Sequence, residues 1–170
     1  MIIKKLLIIL LIAISTFSYA QTGHYYPADR YSNSLISDLC QDKYGNIWIA
    51  TDYGLNKFDG YQFTSYLHDD TDSTSICSNA VVELLCDSKG RLWVGTNRGL
   101  DLYNDDLNAF IHYKFPADVR PRISDVVELS DGRILFCTAG YGTFVIGEDN
   151  VLKTTEEFSA DANDKFFSYA

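Results

Sequence analysis

The sequence predicts an all-β chain, a β-propeller of four-stranded antiparallel blades, on three observations. A run beginning Asp42-Lys-Tyr-Gly45-Asn-Ile-Trp48 and ending Thr51-Asp-Tyr-Gly54-Leu55 recurs 45 residues later, from Asp87 through Gly90, Trp93 and Thr96 to Gly99-Leu100. A looser copy passes from Asp131-Gly132 through Leu135 and Thr138 to Gly142, a further 42 residues on. Each unit is built of short apolar runs cut by Asp and Gly, which is the length and punctuation of strands rather than helices. Self-similarity at a period of about 40–50 residues marks a repeat architecture, and units made of strands make it a propeller.

The elements follow in order. The first unit predicts strands over 35–41, 46–51, 55–58 and 63–66, and the second over 80–86, 91–96, 100–103 and 110–113. The innermost strands are nearly continuous apolar runs, as expected of a blade sandwiched between neighbours and buried on both faces. Asp42-x-x-Gly45 and Asp87-x-x-Gly90 predict hairpins whose Gly takes a left-handed conformation. Asp131-Gly132 predicts a shortened, two-residue type I′ turn. Trp48 and Trp93 occupy equivalent strand positions and should fill the space between blades. The repeats are placed at about 34–66, 79–113 and 123–153, and a fourth inner strand begins at 164–170. His24 to Tyr31 reads as an outermost-type strand standing before the first inner one.

About three and a half blades do not close a ring, because propellers close with about four to eight. An incomplete propeller leaves unprotected blade edges. The expectation is therefore that Ala170 lies inside a longer protein, self-assembly being the alternative.

Residues 1–20 read as a leader rather than as fold. Lys4 and Lys5 precede the nine-residue apolar run Leu6–Ile14, and Ser18-Tyr19-Ala20 offers small residues for cleavage before Gln21. The run is shorter than the ~20 residues that span a bilayer. The mature part, 21–170, is then an exported, periplasmic partial propeller. The whole chain carries a net charge of −9, and losing Lys4 and Lys5 leaves 12 basic against 23 acidic residues, about −11. Such a surface repels phosphate backbones and excludes nucleic acid as a partner. The four cysteines fall on ordinary strand positions, except for Cys77 in a loop, and read as small buried hydrophobes rather than a disulfide framework.

The pattern Asp-x-x-Gly-x-apolar-Trp-apolar-(Gly/Ala)-Thr-x-x-Gly-Leu-x-x-(Phe/Tyr), held by Asp42–Phe58 and Asp87–Tyr103, resembles the two-component regulator propeller repeat. The stretch Tyr61-Gln-Phe63-Thr-Ser-Tyr66 resembles the link between blades in that family. The third copy departs from the pattern: Leu135 stands for Trp, Cys137 for Gly, and one residue is inserted before Gly142. The resemblance implies the N-terminal periplasmic sensor of a hybrid two-component regulator. Such a sensor would recognise oligosaccharides from polysaccharide breakdown and signal, within a homodimer, through a membrane helix to a histidine kinase. No kinase motif occurs in these 170 residues, nor any Gly-x-Ser-x-Gly or His-Glu-x-x-His, so the chain itself is not read as an enzyme.

No cofactor or metal is predicted. His24, His68 and His112 have no ligand-like local spacing and read as solvated surface. An EF-hand counted from Asp70 fails, with Ser75 at its glycine position and Val81 at its glutamate position. Ligand residues are expected on loops of one rim, where Tyr53, Asn97, Arg98 and Tyr141 follow the Thr of each repeat. Tyr stacks on sugar rings, and Arg pairs with uronate or sulfate. The competing reading is an exported propeller enzyme, a lyase or glycosidase. It would use an acidic central channel lined by Asp38, Glu83, Asp125 and Glu128.

Overall fold

The computed structural model describes residues 35–147 and 149–155. The leader, the segment 24–31 and the strand expected at 164–170 lie outside the described residues. Among the described residues, twelve strands form three four-stranded antiparallel sheets, each ordered as the chain runs. Blade 1 is β1 (Ile36–Gln41), β2 (Ile47–Thr51), β3 (Gly54–Phe58) and β4 (Phe63–Tyr66). Blade 2 is β5 (Val81–Cys86), β6 (Leu92–Thr96), β7 (Gly99–Asn104) and β8 (Ala109–His112). Blade 3 is β9 (Ile123–Glu128), β10 (Ile134–Thr138), β11 (Gly142–Ile146) and β12 (Leu152–Thr154). These are blades of a β-propeller.

The repeated sentence is a set of hydrogen-bond instructions. Asp87 Oδ1 accepts from the amides of Lys89 (3.0 Å) and Arg91 (2.8 Å), shaping the β5–β6 turn. Its Oδ2 accepts from the Trp93 indole N–H at 2.9 Å, fixing the ring two turns of the pleat away. Asp42 repeats this with the amides of Tyr44 and Asn46 and with the Trp48 indole at 2.8 Å. Gly45 and Gly90 close the two turns at φ 87° and 73°, a region closed to most side chains. The Thr then shapes the next hairpin. Thr51 Oγ1 donates to Gly54 O at 2.7 Å, and Thr96 and Thr138 do the same to Gly99 and Gly142. Asp, Gly, Trp and Thr are thus joined by bonds within a blade, so they recur together.

The third hairpin is not shortened. Leu129 N donates to Arg133 O, and Gly132 N to Leu129 O, matching the Asp87–Arg91 and Gly90–Asp87 bonds of blade 2. Leu129 therefore takes the place of Asp87, and the aspartate has moved to Asp131 inside the turn. Without an indole to hold, Asp131 Oδ2 accepts from Arg133 Nε at 2.7 Å. The type I′ expectation fails because Asp131-Gly132 is only the second half of a longer turn that opens at Leu129.

Trp48 and Trp93, 1% and 0% exposed, lie between blades as expected. Trp48 packs edge-on to Tyr103 of blade 2 at 4.8 Å between centroids, and Trp93 joins the cluster formed with blade 3. Burial on both faces is complete for the second strand β6, not for the inner strand β5, where only Val81 and Leu84 are buried and the rest are half-buried. An innermost strand has no further strand on its axial side, so part of it stays in reach of solvent. Blades 2 and 3 approach closely at Gly95, where a Cβ would meet Ile123 Cγ2 at 2.8 Å.

Candidate functional site

In a blade, the β2–β3 type hairpin and the connection to the next blade emerge at the same end. In blade 2 these segments enclose a cavity of about 370 Å³. Its walls come from the connection after β4 (His68, Asp69, Asp70, Asp72), from Arg98 on the β6–β7 turn, and from the connection after β8 (Lys114, Asp118, Arg120). Cations and carboxylates therefore face one concave space, with the ring of Phe115 and the start of β7 as its floor.

The floor is held by a polar network around Asp101, which is fully buried. His112 Nδ1 lies 2.7 Å from Asp101 Oδ1, and Asp101 Oδ2 accepts from the Cys77 amide at 2.8 Å. Cys77 Sγ is 3.0 Å from Thr96 Oγ1, and His112 Nε2 is 3.0 Å from Ser73 O. Asp101 and His112 are cross-strand partners, as are Asn56 and Ser65 in blade 1, where Ser65 donates to Asn56 at 2.7 Å. Blade 2 sets a carboxyl and an imidazole where blade 1 has an amide and a hydroxyl. The hydrogen bond that His112 donates to Asp101 raises the His112 pKa above that of a free imidazole, against the opposing effect of burial. Burial and the Asp101 charge push the Cys77 thiol well up.

These positions correct the sequence reading. His68 is half-buried, and His112, though exposed as expected, is hydrogen-bonded at both ring nitrogens. His68 Nδ1 is 2.7 Å from Ile76 O and Nε2 is 3.0 Å from Asp70, so both rings fasten the connection over the cavity. Cys77 is not isolated in a loop. Among the described residues, Cys77, Asp101 and His112 bring one donor atom each within 4.8 Å of one another. That set is chemically able to hold a soft or borderline cation, although its donors already bond each other and the loop. Comparing the repeats at Asn56 and Asp101 is the signal that locates this network, since a carboxylate buried in a strand demands a partner.

Of the loop residues expected to bind ligand, Arg98 lines the cavity. Asn97 does not; its Oδ1 accepts from Ser78 Oγ at 2.5 Å and ties the turn to the connection. Tyr53 and Tyr141 are each 54% exposed on the corresponding turns of blades 1 and 3, outside the cavity lining.

A second constellation lines the inner strands. Asp38, Glu83 and Asp125 hold equivalent places on β1, β5 and β9, opposite Ala50, Gly95 and Cys137. A register shift next to each marks a bulge that re-aims the side chain. Burial, together with the charges of Asp38 and Asp125, raises the Glu83 pKa above the ordinary carboxyl value. Asp38 Oδ2 accepts from Leu84 N at 2.8 Å. Glu128 stands apart from this row, accepting from Ser88 N and Oγ at the opposite end of the blade.

Comparison with known proteins agrees with this architecture. The family model for the two-component regulator propeller matches residues 30–53 and 75–98. Histidine kinase P4 of Formosa agariphila is 48% identical over 52 residues, 31% of this chain and 4% of that protein. Among solved structures, the extracellular domain of the hybrid two component system BT3049 from B. thetaiotaomicron superposes with a TM-score of 0.68 at 26% identity. It covers 76% of this chain and 19% of its own. The extracellular domain of BT4673 from the same organism gives a TM-score of 0.62 at 19% identity over 74% and 19% of the two chains, a likeness of fold alone. The chain spans about a fifth of the length of these structures.

Proposed function

Because the chain carries two-component regulator propeller repeats, we propose that it is part of the periplasmic sensing propeller of a hybrid two-component regulator. In this reading it recognises an oligosaccharide from polysaccharide breakdown, and the signal passes within a homodimer to a histidine kinase elsewhere in the parent protein. The observation that carries the proposal is the cavity enclosed by the two blade connections and the Arg98 turn. A concave site lined by loops on a rigid strand scaffold is the usual form of a ligand pocket. Arg98, Lys114 and Arg120 supply donors suited to a uronate or sulfate, and Asp69, Asp70 and Asp118 supply acceptors suited to sugar hydroxyls. Tyr53 and Tyr141, exposed on neighbouring turns, offer ring faces to a ligand extending along the rim.

The test is isothermal titration of the parent sensor with a panel of neutral, uronate-containing and sulfated oligosaccharides, repeated with Arg98→Ala. The expected result is binding of an anionic member and at least tenfold weaker binding by the variant. Equal affinity in both would remove Arg98 from the site, and no binding across the panel would remove the oligosaccharide class.

The row Asp38, Glu83 and Asp125 favours one second reading, an exported propeller enzyme acting in the central channel. Glu83, with its raised pKa, would be the proton donor. Substrate turnover abolished by Glu83→Gln and untouched by Arg98→Ala would establish it over the sensor reading.

A further inference from the structure

We propose that Cys40 and Cys86 form a redox couple across the interface of blades 1 and 2, closing to a disulfide by exchange with a small disulfide oxidant. Aligned on the repeated sentence, Cys40 stands two residues before Asp42 and Cys86 one residue before Asp87. Successive side chains of a strand point to opposite faces, so this one-residue offset turns the two thiols to opposite sides of their own blades. In stacked blades, that means toward each other.

The neighbouring bonds hold β1 and β5 in place for the encounter. Ser37 Oγ donates to Val81 O at 2.7 Å, and Leu84 N donates to Asp38 Oδ2 at 2.8 Å. Both cysteines pack against the same interblade core cluster, close enough for each thiol to shift the other's pKa. The other two cysteines are engaged elsewhere, Cys77 with Thr96 and Cys137 with Thr143. All four are free thiols in this structure.

Reactivity follows the same geometry. Cys86 lines a hollow of about 300 Å³ between the Asp42 and Asp87 turns, with Lys43 and Lys89 on its wall. The interaction with Cys40 lowers the Cys86 pKa, while that interaction and burial raise the pKa of Cys40. Cys86, which opens onto this hollow beside Lys43 and Lys89 while Cys40 does not line it, is the attacking thiolate. With glutathione disulfide as oxidant, the Cys86 sulfur attacks one sulfur and expels a glutathione thiolate, which takes up a proton. Cys40 then gives up its proton and attacks the Cys86 sulfur of the mixed disulfide, expelling the second glutathione. The two protein thiols lose two electrons and two protons, and glutathione disulfide becomes two glutathiones. The product is a covalent staple between consecutive blades, independent of any ligand the rim binds.

The test exposes the full chain to glutathione disulfide without denaturant, followed by acid quench, alkylation and mass spectrometry. Cleavage at Lys, Arg and Glu parts Cys86 from Cys77 at Glu83. The expected products are one linked pair of peptides carrying Cys40 and Cys86, with Cys77 and Cys137 alkylated. Tm should rise by roughly 5–15 °C over the reduced chain. Cys40→Ser should stop at a glutathione adduct on Cys86, and Cys86→Ser should leave Cys40 unmodified. Both thiols alkylated after exposure, a stable adduct in the unaltered chain, or a link to Cys77 or Cys137 would each overturn the proposal.

Discussion

Replacing Asp87 with Ala removes the acceptor around which the second repeat is organised. The carboxylate, 5% exposed, takes four hydrogen bonds: Lys89 N at 3.0 Å, Arg91 N at 2.8 Å, Arg91 Nε at 2.6 Å and Trp93 Nε1 at 2.9 Å. Water replaces it for the two amides and the guanidinium, which sit at a turn. Trp93 is fully buried, so its N–H has no substitute partner. A hydrogen bond to a charged group contributes about 1.5–3 kcal/mol, and an orphaned buried donor costs about 1–3 kcal/mol. The two descriptions overlap, and together they place the loss near 3 kcal/mol. For a chain of this size that lowers Tm by on the order of 6–12 °C. Urea unfolding followed by tryptophan fluorescence measures it. Asp42→Ala, with the matching bonds to Trp48, should lose a comparable amount. Asp59→Ala is the control, since that exposed carboxylate caps only the amides of Tyr61 and Gln62 and should change little. Equal losses at Asp87 and Asp59 would refute the idea that the indole bond is what the repeat preserves.

Burial by itself would raise the pKa of Asp42 and Asp87, but the hydrogen bonds outweigh it and hold both below the ordinary carboxylate value. A folded carboxyl that is harder to protonate than the unfolded one stabilises fully above the ordinary pKa. That stability should fade as pH falls through the lowered folded values, which an acid-unfolding series by fluorescence reads directly. His112 has the opposite sign: its raised folded pKa contributes stability below the ordinary imidazole value, lost as pH climbs through the folded one. An NMR titration should show the raised pKa, and His112→Gln should flatten the stability profile near neutral pH. Trp93→Ala should cost about 3–5 kcal/mol in urea unfolding, through the cavity it leaves. Gly95→Ala should cost about 1–3 kcal/mol, because its Cβ would meet the stiff, β-branched Ile123 at 2.8 Å.

The repeat by itself determined the blades. Asp42, Gly45, Trp48 and Thr51 act through bonds within a few residues of one another, so their spacing survives copying and can be read from one chain. The eight strands placed by the two full copies agree with the observed spans to within a residue or so at each end. Where the copy is degenerate, the spacing misleads: Asp131 stands as the repeat's aspartate in the sequence, while Leu129 holds the Asp87 position in the hairpin. The candidate site was legible only at Arg98. Its other walls come from the two connections, which share no sentence with each other, and from Asp101 and His112, which meet across a sheet. The facing of Cys40 and Cys86 likewise needed the blades to be stacked, even though their one-residue offset stood in plain view. Local bonds leave a periodic trace in the sequence. Contacts between blades, made by residues tens of positions apart, were decided only when the tertiary structure set one sheet against the next.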